Sequence, residues 1–162
     1  MQHNLQPWKI YLDTCCLSRF FDNQTQTRIQ QETEAIDWII SQFRVGRWDW
    51  ISSDALIFEI NRIPDLDQRL RIKVWLTEVR QAVSVGIGEK SRSKQLEVLS
   101  FGELDALHLA CSESGSVDVF LTTDDKLLGK AKRDASQLHV HVENPYTWLQ
   151  EITENERDRT DR

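Results

Sequence analysis

Short apolar runs, each too brief for a helix, alternate along this 162-residue chain with longer stretches of helical spacing. Residues 8–12, 48–51, 117–121 and 138–142 read as strands, the first and third of the fully buried kind. Helical spacing runs from Thr14 through Leu17, Phe20 and Phe21, and from Ile29 to Phe43, where Gly46 stops it. Ser53 is placed to cap a further helix that ends near Pro64. Glu103 to Ser114, with Gly115 at its end, and Asp125 to Arg133 complete the set. Strands alternating with helices imply right-handed crossovers and a mainly parallel central sheet covered on both faces. Function in such an α/β sheet gathers outside the carboxyl ends of its strands.

Residues 65–99 are less regular. The stretch from Asp65 to Ala82 predicts a long helix, Val83 to Ile87 a weak strand, and Lys90 to Lys94 a polar connector. The length suits a single domain over residues 1–152, with a polar tail over 153–162 expected to fray. Apolar residues at 40% and charged residues at 28% exclude a mainly disordered chain. No apolar run approaches the roughly 20 residues that span a bilayer, and the opening residues lack the pattern of a signal peptide, so no membrane contact and a cytoplasmic location are expected. Three cysteines, none in a CxxC pair, argue against a disulfide framework or structural zinc and for reduced side chains packed near the core.

Four acidic residues interrupt or end apolar runs: Asp13 after Leu12, Glu59 within Ala55–Ile60, Asp105 within Leu104–Ala110, and Asp124 after Thr123. Asp13 and Asp124 directly follow strands and so fall on the functional edge. Each has an ordinary structural explanation. Asp13 and Asp124 suit helix N-caps, Glu59 could pair with Arg62 one turn on, and Asp105 would be favoured in the first turn of a helix. Brought together, however, they would repel by on the order of 1 to 4 kcal/mol per pair. A divalent cation removes that cost. Magnesium and manganese accept oxygen ligands and need only a few carboxylates, and such ions serve the hydrolysis of phosphodiesters.

The segments Ile10–Thr14, Ser52–Ile60, Glu103–Ala110 and Phe120–Leu128 resemble, in order and spacing, the successive motifs of PIN-domain proteins (PilT N-terminus domains). The resemblance covers most of the chain from about Ile10 to Val142. It implies a Rossmann-like α/β/α sandwich whose acidic pocket binds magnesium or manganese and cleaves RNA. It further implies, as in VapC-type toxins, an antitoxin protein as partner and a homodimer. On that resemblance Asp13, Glu59, Asp105 and Asp124 are the catalytic and metal-binding acids. Thr122 matches the hydroxyl residue that supports the fourth acid. Asp125 competes with Asp124 for that place, the Thr-x-Asp spacing favouring Asp124, and Glu103 is a further supporting candidate. Residues 65–99 depart from compact members of the family.

A formal net charge of −6 runs against binding nucleic acid by counterion release alone. Neutralising the four acids with metal would leave local basic groups to act: Lys126, Lys130, Lys132 and Arg133 in one cluster, Arg62, Arg69, Arg71 and Lys73 in another. Solvated helix faces explain either cluster equally well. A non-catalytic PIN-like scaffold that binds protein or RNA is the alternative function. An aspartyl-nucleophile phosphatase is disfavoured because Cys15 stands where its second Asp is needed. His139 and His141 share a strand face without an evident third metal ligand, His108 reads as a histidine packed near the core, and Trp48 and Trp50 read as core. No glycine-rich phosphate loop is present, so ATP use is not indicated.

Overall fold

A computed structural model describes residues 6–162; the reading of the extreme N-terminus falls largely outside them. Five strands form one sheet: β1 (Lys9–Leu12), β2 (Asp49–Ser53), β3 (Gln81–Val83), β4 (Val119–Leu121) and β5 (His141–Glu143). They lie in the order β3-β2-β1-β4-β5, and every pairing is parallel. Eight α-helices connect and cover them: α1 (Thr14–Ser18), α2 (Thr27–Arg44), α3 (Asp54–Asn61), α4 (Leu66–Trp75), α5 (Ile87–Val98), α6 (Glu103–Ser114), α7 (Asp125–Arg133) and α8 (Pro145–Thr160). The helices α2 and α8 pack together, as do α5 and α6, and α6 lies against β2 and β3. The result is an α/β/α sandwich. No helix among the described residues is long and apolar enough to cross a membrane.

The sheet order reverses at β1. The chain leaves β1 for β2 and β3 on one side, then crosses to β4 and β5 on the other, which opens a crevice between the carboxyl ends of β1 and β4. Asp13 N donates to Leu121 O at 2.9 Å across that switch point. Both central strands are buried from Ile10 and from Val119 onward, with Ile10, Tyr11, Leu12, Phe120 and Leu121 all at 0% exposure, so the crevice has a fixed floor. Trp48 and Trp50 are core residues, as read; Trp50 stacks on Phe43 with ring centroids 5.2 Å apart.

The elements nearest the crevice agree with the sequence, because their signals are local. Ser53 caps α3 by accepting from Leu56 N at 3.2 Å. Gly46 closes α2 with φ of +73°, a conformation that glycine adopts without strain. Gly115 ends α6 for another reason: its φ is −78°, and a Cβ there would meet Val83 Cγ2 at 3.0 Å and Ile51 Cγ2 at 3.1 Å. Close helix-to-sheet packing, not a left-handed turn, asks for glycine.

Residues 65–99 differ from expectation. The helix predicted to Ala82 ends at Trp75, followed by a 3-10 turn over Leu76–Glu78. The strand then begins at Gln81, inside the predicted helix, because pairing of Gln81, Ala82 and Val83 with Ile51, Ser52 and Ser53 adds an edge to the sheet. The expected polar connector lies within α5. The segment expected to fray is helical to Thr160, with Glu156 paired to Arg47 at 3.3 Å.

Candidate active site

Asp13 ends β1 and caps α1. Its Oδ1 accepts from Thr14 N at 2.8 Å and its Oδ2 from Thr122 Oγ1 at 2.8 Å. The Thr122 hydroxyl accepts in turn from Asp124 N at 3.1 Å. Asp124 caps α7, accepting from Lys126 N at 2.9 Å and Leu127 N at 3.3 Å. The capping explanation therefore holds for both residues, and each cap fixes a carboxylate at the carboxyl end of its strand.

Glu59 comes from α3 and Asp105 from the first turn of α6. Burial pushes the Asp105 carboxyl up to about 6, and the negative charges of Asp13, Asp124 and Glu59 push in the same direction against the opposing pull of His108. Burial likewise raises Asp13 above the usual carboxylate range, despite His108 and the Thr122 hydrogen bond. Glu59 is held low: burial opposes its ionisation, but His108 and Thr14 outweigh burial. Among the described residues no Lys or Arg forms an ion pair with any of these acids; the one partner is His108, whose Nε2 lies 3.5 Å from Glu59 Oε1.

Asp125 points elsewhere. Arg28 grips both its oxygens, at 2.6 and 2.7 Å, and also donates to Thr123 O at 3.2 Å. That clamp orders the segment leading into α7, while Asp124 is the neighbour whose charge reaches Asp105. Glu103 is exposed and lines a separate cleft beside Phe58.

His108 is fully buried behind the acids. Its Nδ1 pairs with Tyr11 Oη at 2.6 Å, and that hydroxyl also meets Ser53 Oγ at 2.6 Å. Burial by itself lowers the His108 pKa, and Glu59, Asp13 and Asp105 more than reverse this, leaving it raised. The Tyr11–Ser53–His108 relay is absent from the sequence reading, since its members are far apart in the chain. Cys15, read from the sequence as a packed thiol, also borders the acids. Its Sγ lies 3.4 Å from Asp13 Oδ2 and 3.3 Å from Thr122 Oγ1. Its position two residues after Asp13 was the available signal.

The donor set fits a divalent cation that prefers oxygen. Ligand atoms of Asp13, Glu59 and His108 lie within 4.8 Å of one another. His108 Nε2 and Thr14 Oγ1 are buried without a closer hydrogen-bond partner. Carboxylates that repel one another, with no Lys or Arg paired to them, are stabilised by a metal ion. A second cluster joins His141 and Glu143 of β5 to Glu151 of α8, where Lys132 Nζ already stands 3.4 Å from Glu143 Oε1.

No protein-family model and no curated protein sequence matches this chain. Solved structures do. A chain of the VapBC2 complex from Rickettsia felis, bound to a DNA fragment from their promoter, aligns with a TM-score of 0.55, covering 84% of this chain and 98% of that one at 12% identity. A chain of VapBC-1 from nontypeable Haemophilus influenzae aligns at 0.52, covering 85% and 98% at 14% identity. The chain has the PIN-domain fold. The match spans nearly the whole length of each of those chains. At this identity the likeness is one of architecture, and the chemistry rests on the residues themselves.

Proposed function

We propose that the protein is a divalent-metal-dependent endoribonuclease that hydrolyses RNA phosphodiester bonds. What supports this reading is the cluster of Asp13, Glu59 and His108, whose ligand atoms lie within 4.8 Å of one another, with the charges of Asp13, Asp124 and Glu59 acting on Asp105 and no Lys or Arg among the described residues ion-paired to these acids. These carboxylates would hold magnesium or manganese, which when bound supplies Lewis acidity and offsets the charge of a phosphate. Thr122 and Thr14 N fix the Asp13 carboxylate, and His108, itself held by Tyr11, orients Glu59. One of the carboxylates accepts the proton of the attacking water.

The likeness to chains of VapBC complexes supports a place for the protein as the toxin of a toxin–antitoxin pair, with an antitoxin protein as partner; a homodimer is proposed on the sequence resemblance alone. The test compares wild type with Asp13→Asn and Asp105→Asn on a panel of structured RNAs in magnesium, manganese or chelator at low salt. Cleavage that fails in chelator and in both variants is expected. Absence of both cleavage and calorimetric metal binding would overturn the reading and leave a scaffold that binds without cutting.

A further inference from the structure

Several basic residues of the two clusters are engaged within the protein. Lys130 donates to Ser100 O, Arg133 to Leu99 O, Arg69 to Ile63 O, and Arg71 pairs with Asp67. Arg62 differs. It ends α3 three residues beyond Glu59, yet it forms no ion pair with that carboxylate; its Cζ lies 5.3 Å from the centroid of the Phe58 ring. Its positive charge still reaches Glu59 and helps to hold that carboxyl low. Phe58 is 54% exposed, a large apolar cost for a residue one position from a buried acid pocket.

The pair borders a cleft of about 420 Å³ between α3 and α6, lined by Ala55, Phe58 and Arg62 on one wall and by Glu103, Leu104 and Leu107 on the other. None of the four acids lines this cleft, but Glu59 directly follows Phe58 on α3 and Asp105 directly follows Leu104 on α6, so each wall is one residue from an acid in sequence. Its walls are largely apolar, its rim carries the Arg62 cation and the carboxylates of Glu103 and of Asp54, the latter accepting from Val85 N at 3.0 Å, and its volume suits one small flat group better than a helix. An aromatic ring overlaid by a guanidinium is the platform on which single-stranded nucleic acid stacks a base, with the cation available to the adjoining phosphate.

We propose that the cleft between α3 and α6 is a subsite for one unpaired nucleobase of RNA, stacked on the Phe58–Arg62 pair and next to the phosphate held at the acids. This rests on the ribonuclease reading of that crevice. A base seated there sets which phosphodiester reaches the carboxylates, and the subsite requires a single-stranded position in the substrate.

The experiment measures binding of short fluorescein-labelled single-stranded RNAs by anisotropy in magnesium. The full chain carries Asp105→Asn so that binding is read without cleavage. An abasic nucleotide is walked along the RNA, with and without Phe58→Ala. With Phe58 present, one position loses about tenfold in affinity when its base is removed. With Phe58→Ala, intact and abasic RNAs bind alike at that position. Phe58→Leu and Arg62→Lys are expected to give intermediate losses, and thermal melts confirm that each variant is folded. An abasic penalty that Phe58→Ala leaves unchanged at every position overturns the proposal, as does a Phe58→Ala defect confined to capture of a partner protein. RNA cleavage by wild type without such coupling refutes the subsite alone. Coupling in a protein that never cleaves RNA refutes the nuclease and retains the subsite.

Discussion

Thr122 Oγ1 donates to Asp13 Oδ2 at 2.8 Å, joining the ends of two adjacent strands whose residues are 109 apart in sequence. The same hydroxyl accepts from Asp124 N, so one side chain holds two of the four acids in register. Replacing Thr122 with Val keeps the shape and removes both bonds. The expected cost is about 1 to 3 kcal/mol in urea denaturation, with weaker calorimetric binding of magnesium, and Thr122→Ser should restore both. Wild-type metal affinity in Thr122→Val would show that Asp13 needs no such support.

Asp105 links stability to pH and to metal. Its folded pKa, at about 6, lies above the ordinary value of 3.8, so the folded state holds the proton more tightly than the unfolded one. Its contribution to metal-free stability is therefore full below the unfolded value and is lost as pH rises through about 6. On the proposed function, magnesium would be held by the ionised carboxylates and should act in the opposite sense. Thermal melts at pH 5 and pH 7.5, with magnesium and with chelator, should show a metal-induced rise in Tm that is larger at pH 7.5. Asp105→Asn should shrink that rise and stabilise the metal-free protein at neutral pH. Equal metal effects at the two pH values would contradict the assignment.

Tyr11→Phe removes a hydroxyl that meets Ser53 Oγ and His108 Nδ1, both at 2.6 Å, deep in the core. Two buried polar atoms lose a partner, and the expected destabilisation is about 1 to 3 kcal/mol. Loss of the hydroxyl should also free the His108 ring and weaken manganese binding, read by calorimetry. A variant as stable as wild type would mean that the relay is dispensable.

Gly115→Ala tests the packing of α6 on the sheet. The backbone there is compatible with alanine, which favours the variant by about 0.4 to 1 kcal/mol through the unfolded state. Against this, the new Cβ would stand 3.0 Å from Val83 Cγ2 and 3.1 Å from Ile51 Cγ2. Overpacking costs roughly 1 to 3 kcal/mol and should win, giving a net loss in denaturant titration. A gain in stability would place the helix end farther from β2 and β3 than described.

The sequence by itself determined what depends on near neighbours. Alternating apolar runs and helical spacings specify the α/β layering, because burial on one face of a helix or on both faces of a central strand imposes its own period. Ser53, Asp124 and Gly46 mark helix ends through bonds or backbone conformations reaching only a few residues. Tertiary structure decided what depends on partners far along the chain. Gln81 to Val83 become a strand only because β2 offers an edge. Asp125 is gripped by Arg28 from a distant helix, while the charge of Asp124 acts on Asp105. His108 meets Tyr11, and Arg62 chooses Phe58 over Glu59. Each of these is a competition among contacts settled by distance and burial, which no local pattern of residues encodes.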